Sequence, residues 1–312
     1  MKRIFDAHCD TISKLFNQGA ELKKSNLHLD LERMSKFYTY IQVFAAFIDK
    51  NKVVGSYVNY ALKLFDKYYF EIEKNKGLIN PILSSDDLTN TENGGVYSIL
   101  SIEGGEMLEG SLSTISMFYR LGVRLITLTW NYANEISDGI CEARGGGLTD
   151  FGKSAVKMME DLGILIDVSH ISEKGFWDVY ENTKYPFIAS HSCVKSLCSH
   201  SRNLNDEQIS AIIKRNGVIG INFYPDFLSD DKVADINTIV KHIEYILKMG
   251  GENVLAFGSD FDGVSHLPQG ISGVQDIYKI IDALSYKGFD STLCDKIAYK
   301  NLYRIFYETL SR

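Results

Sequence analysis

A histidine and an aspartate stand two residues apart where a short apolar run ends near the N-terminus. The run closes on His8-Cys9-Asp10. Side chains two apart on an extended strand point to the same side, so His8 and Asp10 would present an imidazole and a carboxylate together. Such a pair is half of a binding site for a divalent metal ion. By itself the pattern also fits a strand that ends in a solvated carboxylate, so the rest of the chain must decide.

Four further groups that could bind metal or transfer protons stand at the ends of other apolar runs. Glu103 follows residues 96–102, His170 follows 164–169, His191 follows 187–190 and Asp260 follows 254–258. Each one alone also fits an ordinary polar residue at the end of a strand. If these runs are strands whose ends meet at one rim, all of these groups lie close together. Chance is then a poor explanation for their positions. The other four histidines fall in loops or on a helix and are interpreted as structural.

Eight short apolar runs alternate with amphipathic segments along the chain. The runs are almost continuously apolar, which is typical of parallel strands that are covered on both faces. The segments between them read as helices, such as the one over 150–162, which Gly163 would end. This alternation predicts an α/β fold, a (β/α)8 TIM-like barrel with additional helices. No linker-like segment interrupts it, so we expect a single domain over residues 1–312. In such a barrel the active site lies at the carboxyl ends of the strands.

Composition excludes several classes of protein. The chain has 312 residues, a formal net charge of -7 and a pI near 5.6, which disfavours a nucleic-acid partner. Its five cysteines are an odd number spread thinly, which favours a reducing compartment over a disulfide framework. No apolar run reaches the roughly 18 residues of a membrane span. The first strand begins too early to leave room for a signal peptide. We therefore expect a cytoplasmic protein without a membrane partner.

Three histidines with aspartate and glutamate form a nitrogen and oxygen ligand set. That set suits Zn²⁺ and, less selectively, Mn²⁺, Fe²⁺ or Co²⁺. One catalytic zinc ion uses about three protein ligands and keeps an open position, so six groups exceed what a single ion needs. Two ions that share a carboxylate would use more of these six groups than a single ion would. A pair about 3.5–4 Å apart can bind one hydroxide between them and polarise a carbonyl oxygen, which is the chemistry of hydrolysis.

Seven short motifs surround these groups, in order along nearly the whole chain. They are Asp6-Ala7-His8-Cys9-Asp10, Glu103-Gly104-Gly105, Ile166-Asp167-Val168-Ser169-His170, Ser190-His191-Ser192, Ser201-Arg202-Asn203, Asn222-Phe223-Tyr224 and Gly258-Ser259-Asp260-Phe261-Asp262-Gly263. In this combination the chain resembles the membrane dipeptidase (renal dipeptidase) family of zinc peptidases. We expect this chain to lack the leader peptide and lipid-anchor tail of that family and to be a soluble member of bacterial type.

The resemblance implies a binuclear zinc site with a bridging hydroxide. On this basis His8 and Asp10 hold one zinc ion, His170 and His191 hold the other, and Glu103 bridges the two. Other divalent metals remain open as the physiological cofactor.

The resemblance also implies the groups that act on the substrate, a dipeptide with a free C-terminal carboxylate. Asp260 is expected to transfer a proton beside the bridging hydroxide. Arg202 is expected to receive the carboxylate of the substrate, a task for which its planar fork is suited. Tyr224 is expected in the pocket. A non-covalent homodimer is a further expectation carried from the family.

One position departs from the mammalian members of the family, where a histidine contacts the scissile carbonyl. The corresponding residue here is Trp130. An indole N–H donates one hydrogen bond but cannot take a charge. Stabilisation of the oxyanion is therefore in doubt, or it moves to the metal ions, Asn131 or Asn134. Trp130 itself is predicted either to contact the substrate or to pack at the rim.

Two other functions stay open at this point. A site with two metal ions does not by itself determine which kind of bond is hydrolysed. An amidohydrolase acting on other small amides, N-acyl amino acids or esters is therefore the alternative. Arg202 distinguishes the two, because it would matter far more for a substrate with a carboxylate. A non-catalytic binding protein is a third interpretation, and the intact ligand set and Asp260 speak against it.

Overall fold

Eight parallel strands close into a barrel in the computed structural model, which describes residues 2–50 and 53–312. The strands are β1 (Arg3–Cys9), β2 (Thr39–Phe47), β3 (Gly95–Glu103), β4 (Val123–Thr127), β5 (Leu165–Asp167), β6 (Ile188–Ser192), β7 (Val218–Ile221) and β8 (Leu255–Phe257). Each strand pairs with the next along the chain, and β1 pairs with β8, which closes the barrel. A two-residue strand, Asn80–Pro81, pairs with β3 outside this circle. The predicted (β/α)8 barrel is confirmed.

Helices surround the barrel and fill the connections between its strands. They are α1 (Thr11–Gln18), α2 (Leu31–Met34), α3 (Tyr57–Lys74), α4 (Ser85–Asn90), α5 (Leu112–Arg120), α6 (Asp150–Leu162), α7 (Glu173–Asn182), α8 (Asp206–Lys214), α9 (Pro225–Leu228), α10 (Ile236–Lys248), α11 (Tyr278–Tyr286), α12 (Ser291–Asp295) and α13 (Asn301–Leu310). Short 3₁₀ turns at Thr91–Asn93, Gly105–Leu108 and Val274–Asp276 and a π-helical turn at Lys296–Lys300 complete the set. None of the helices in the described ranges is both long and apolar enough to cross a membrane.

Local signals in the sequence explain where these helices begin and end. Helix α6 spans the predicted residues and ends at Gly163, which adopts a left-handed φ of 74°. Helix α8 begins at a full capping box, in which the side chain of Asn205 accepts from the Gln208 amide and the Gln208 side chain accepts in return. The ends of the helices are therefore set by the residues that satisfy their free backbone groups.

Two apolar clusters account for the continuous apolar runs of the strands. The inner cluster fills the barrel, and its strand residues are Phe5, Ala7, Ile41, Val43, Tyr97, Ile99, Leu125, Leu165, Ile188, Val218 and Ala256. The outer cluster packs the opposite faces of the strands against the surrounding helices. Helix α13 covers the N-terminal end of the barrel, where the ring of Phe306 stacks on Phe5 with centroids 5.2 Å apart. Because apolar packing closes the N-terminal end, polar groups of a site are accommodated at the C-terminal end.

Two glycines allow the strands to approach closely just below that end. A Cβ atom on Gly220 would lie 2.0 Å from the carbonyl oxygen of Ser190, and one on Gly258 would lie 1.9 Å from the same atom. These contacts are far shorter than van der Waals distances, and the obstacle is backbone rather than a movable side chain. Strands β6, β7 and β8 can therefore meet in this register only if both positions lack a side chain.

Replacing Gly220 with alanine tests this constraint. We expect Gly220→Ala to lower the free energy of unfolding by about 1–3 kcal/mol, because the added methyl group forces the strands apart. Urea unfolding followed by circular dichroism measures the change. The exposed change Ser154→Ala should move the unfolding midpoint very little, and equal midpoints for the two variants would show that the strands have room to spare.

Candidate metal centre and active site

The predicted metal ligands converge at the C-terminal mouth of the barrel around the carboxylate of Glu103. Its Oε1 lies 3.1 Å from His170 Nε2 and 3.4 Å from His191 Nε2. Its Oε2 lies 3.5 Å from His8 Nε2. One carboxylate therefore faces imidazoles from two sides, each with a different oxygen.

Two aspartates complete the cluster on the side of His8. Asp10 Oδ2 and Asp260 Oδ1 lie 4.0 and 3.9 Å from His8 Nε2. Among the described residues, the groups with ligand atoms close enough together to hold an ion include His8 with Glu103 and His191, and His8 with Asp10 and Asp260. Asp260, which the sequence predicts as a proton carrier, thus also stands within reach of an ion.

Unpartnered polar atoms at this site fit a metal ion. Among the described residues, the buried atoms without a hydrogen-bond partner include both ring nitrogens of His8 and Oδ1 of Asp10. A buried polar atom without a partner costs free energy that a ligated cation would recover. The donor set of imidazole nitrogens and carboxylate oxygens is the one that zinc and similar divalent ions prefer.

The charges of the site also fit a cation. Burial raises the pKa of Asp10 well above its usual range and, with the charge of Glu103, raises the pKa of Asp260 to about 6. Burial lowers the pKa of His8, but the three surrounding carboxylates outweigh it and raise that pKa to about 10. The field that holds a proton on His8 attracts any cation, so a divalent ion competes with that proton for Nε2.

The two remaining histidines are held neutral. Burial and the nearby charge of Arg202 lower the pKa of His170 to about 4. Burial and the charge of His8 hold the pKa of His191 well below its usual range. A neutral imidazole has a free lone pair, which is the form that binds metal.

An irregularity in β1 turns His8 into the barrel. Phe5 and Ala7 belong to the inner cluster, so strict alternation would place Cys9 inside as well. Cys9 instead belongs to the outer cluster, and the register of β1 with β2 shifts between Asp6 and Cys9. Such a bulge moves the alternation by one residue, so that His8 faces inward.

Similar departures from regular strand geometry aim the other two histidines. Alternation from the inward-facing Ile188 would turn His191 outward, and the register of β6 with β7 shifts between Ala189 and Ser192, where His191 stands. His170 follows β5 with a left-handed φ of 68°. Each histidine therefore reaches the mouth through a local irregularity, which is frequent beside active sites.

Hydrogen bonds to Nδ1 fix the ring orientation of His191. Ser190 Oγ lies 2.7 Å from His191 Nδ1 and donates to Asp167 Oδ2 at 2.5 Å. Because the serine hydrogen is directed to the carboxylate, the histidine Nδ1–H donates to the serine oxygen. This leaves Nε2 free to bind metal. The sequence motifs include Asp167 and Ser190, but their role was not predicted.

Asp6 and Asp167 support two sides of the mouth in the same way. Asp6 Oδ1 accepts from the amides of His8 and Ser259, at 3.2 and 3.0 Å. Asp167 Oδ1 accepts from the amides of Ser169 and Ser190, both at 2.9 Å. In each case a buried carboxylate accepts from two amides. One belongs to the residue two positions later in the chain, and the other belongs to a neighbouring strand or the residues just after it. An aspartate inside an apolar run, shortly before a strand-end histidine, is the signal that could have revealed both.

A cavity of about 280 Å³ lies beside the ligand cluster. It is lined by Asp10, Phe47, Glu103, Trp130, Asn131, His170, Tyr224, Phe227, Asp260, Gly263, Val264 and Ser265. The structure places both predicted pocket residues, Trp130 and Tyr224, on its wall. The ring of Trp130 lies 5.2 Å from that of Phe47 and 6.3 Å from that of His170. The wall is therefore largely aromatic and the floor is ionic.

Arg202 lies behind this wall. Its Nη1 donates to Ser192 Oγ at 3.1 Å and its Nη2 donates to the His191 carbonyl at 2.8 Å. The guanidinium sits 5.6 Å from the ring of Phe227, which does line the cavity. Arg202 itself borders a separate cavity of about 30 Å³ that it shares with His170. Its buried Nε has no hydrogen-bond partner among the described residues.

A (β/α)8 barrel with imidazoles and carboxylates gathered at the C-terminal mouth is an architecture of metal-dependent hydrolases. The chain belongs to the membrane dipeptidase family, peptidase family M19, whose profile matches residues 1–311. The resemblance predicted from the motifs is therefore confirmed. This homology supports a metal-dependent dipeptidase.

Relatives agree with this assignment. A protein from Klebsiella pneumoniae, named only as an uncharacterized protein in the pqqA 5′ region, is 35% identical over 245 residues, which cover 75% of this chain and 90% of the relative. The solved structure of dipeptidase AC, a metallopeptidase of family M19, has a TM-score of 0.91 at 26% identity and covers 100% of this chain and 99% of its own. A metallopeptidase from Rhodobacter sphaeroides, liganded with a phosphinate mimic of the dipeptide L-Ala-D-Ala, has a TM-score of 0.91 at 25% identity and covers 99% of each chain.

Removal of one hydroxyl group tests the support of His191. We expect Ser190→Ala to weaken metal binding by about 10–100-fold, because His191 loses the bond that fixes its ring. Competition with a chromophoric chelator measures the affinity. Ser192→Ala is the matched control on the same strand, since its hydroxyl bonds to Arg202. Equal metal affinity in the two variants would contradict the role given to the bond between Ser190 and His191.

Proposed function

We propose that this chain is a dipeptidase that works with two divalent metal ions, zinc in the first place, which share Glu103. The position of Glu103 carries the proposal, because its two oxygens face His8 on one side and His170 with His191 on the other. Asp10 completes the first half of the site. The bound ions would supply a water of lowered pKa as the nucleophile and polarise the scissile carbonyl.

Asp260 is proposed to move a proton between that water and the leaving amine. Its pKa of about 6, raised by burial, allows it to accept and release a proton near neutral pH. Asn222 donates to Asp260 Oδ2 at 3.0 Å and accepts from the amide of Tyr224 at 2.6 Å. This bond leaves Asp260 Oδ1 directed toward His8. Asn222 is thus a positioning residue for the proton carrier.

A small substrate suits the volume of the cavity. Its volume lies just below the range of about 300–1,000 Å³ that is usual for ligand pockets, which favours a substrate of two residues. The phosphinate-bound structure from Rhodobacter sphaeroides supports a dipeptide of this size. Arg202 is proposed to attract the carboxylate, for which the short distance to Phe227 on the wall is the support.

One observation favours the second candidate, an amidohydrolase for other small amides, N-acyl amino acids or esters. Both Nη atoms of Arg202 already donate to Ser192 and His191, and Arg202 does not line the main cavity. If Arg202 keeps these bonds when substrate binds, the free carboxylate of a dipeptide gains nothing from it.

A substrate panel tests the proposed function. We expect the protein loaded with Zn²⁺, Mn²⁺ or Co²⁺ to hydrolyse L,L or L,D dipeptides and to hold two ions per chain by elemental analysis. Arg202→Ala should reduce kcat/KM for dipeptides far more than for neutral amides and esters. Hydrolysis of the amides with no activity on any dipeptide would favour the second candidate, and a single bound ion would remove the shared role of Glu103.

Replacing Asp260 with asparagine tests its role as proton carrier. We expect Asp260→Asn to lower kcat by about 100–10,000-fold, because the amide cannot accept the proton, while the metal content stays unchanged. Steady-state kinetics and elemental analysis of the same preparation provide the two measurements. Asp282→Asn, at the opposite end of the barrel beside Lys2, is the control. A full catalytic rate in Asp260→Asn would exclude this residue from the proton transfer.

A further inference from the structure

Asn131 connects the metal ligand His170 to the wall of the catalytic cavity. It follows β4 and Trp130, it is partly buried, and it lines the cavity together with His170. Its side-chain Oδ1 lies 2.7 Å from His170 Nδ1. The residue therefore touches a proposed ligand with one atom of its amide group and belongs to the wall of the cavity.

A metal ion on Nε2 of His170 would fix the orientation of this amide group. An amide oxygen only accepts hydrogen bonds, so the contact requires a hydrogen on His170 Nδ1. Nε2, which faces Glu103, is then free to bind an ion. The opposite orientation would place the amide NH2 against Nδ1 and force a hydrogen onto Nε2, which excludes ligation. Oδ1 of Asn131 must therefore face His170 whenever Nε2 binds metal.

This orientation leaves the amide NH2 of Asn131 available. Asn131 Nδ2 has no hydrogen-bond partner among the described residues. The atom is not fully buried either, so it is accessible to solvent. Because Asn131 lines the cavity, this N–H group can donate to a substrate there.

Asn134, which the sequence left as an alternative, has no such freedom. Its Nδ2 donates to Glu106 Oε2 at 3.1 Å and to the Leu128 carbonyl at 2.9 Å. Its Oδ1 accepts from the amides of Ile136 and Ser137 at 2.8 and 3.2 Å. Both ends of the amide are used to shape the loop, so Asn134 is a structural residue.

We propose that Asn131 is a catalytic residue whose Nδ2 donates a hydrogen bond to the carbonyl oxygen of the scissile bond. The inference rests on the proposed function. The hydrogen bond strengthens as negative charge develops on that oxygen, and no proton leaves the amide. Asn131 thus supplies a neutral donor next to Trp130, and its bond to His170 keeps the donor aimed when the ligand set is in its metal-binding form.

Two variants of Asn131 separate donation from support of His170. Asn131→Asp keeps an oxygen that can accept from His170 but has no N–H, so metal affinity should be retained while kcat falls by about 100–1,000-fold. Asn131→Ala removes both functions, so metal affinity and kcat should both fall. The exposed change Asn182→Ala on α7 is the control for both measurements. If Asn131 only supports His170, saturating metal restores the activity of Asn131→Ala, and Asn131→Asp stays active, which would overturn the proposal.

Binding of a phosphinate analogue of L-Ala-D-Ala gives a readout without turnover. Its tetrahedral oxygens resemble the developing oxyanion, so calorimetry of the metal-loaded protein should show weaker binding to Asn131→Asp by a factor close to the loss in kcat/KM. Weakened binding to Trp130→Phe with unchanged binding to Asn131→Asp would assign the donor to the indole and contradict the proposal.

The outcomes for the wild-type protein distinguish this inference from the function on which it rests. If wild type hydrolyses dipeptides and Asn131→Asp binds the analogue as tightly as wild type does, only the role of Asn131 fails. If wild type neither hydrolyses dipeptides nor binds the analogue, the proposed function fails, and the donor role of Asn131 fails with it.

Discussion

The buried carboxylate of Glu103 is the group on which the rest of the mouth depends. Burial by itself would raise its pKa, but the charge of His8 and the close imidazoles of His170 and His191 hold that pKa well below its usual range. A charge in such a place is tolerated only when opposite charge and hydrogen bonds surround it. The three histidines meet that demand, and the divalent ions that we propose would meet it more fully.

The barrel provides this arrangement through irregular rather than regular strand geometry. A regular strand would aim His8 and His191 toward the helices, and the register shifts in β1 and β6 turn them inward. Asp6 and Asp167 then tie the strands together just below the ligands. These two carboxylates therefore hold the backbone beneath the ligand side chains.

The sequence was sufficient for the fold and for the location of the site. Continuous apolar runs predicted parallel strands, and the shared C-terminal rim of such strands brought Glu103 and the three histidines together. The sequence was not sufficient for the direction of the rings, because a bulge shifts the alternation without leaving a local signal. The bonds of His170 to Asn131 and of Arg202 to His191 join residues on different loops and strands, so their geometry depends on the folded barrel.

Glu103 is proposed to lie between two metal ions. Anomalous diffraction at the zinc absorption edge, from crystals grown with Zn²⁺, tests it most directly. We expect two peaks about 3.5–4 Å apart, one beside His8 and Asp10 and the other beside His170 and His191, with an oxygen of Glu103 at each. One peak alone, or two peaks of which neither touches Glu103, would contradict it.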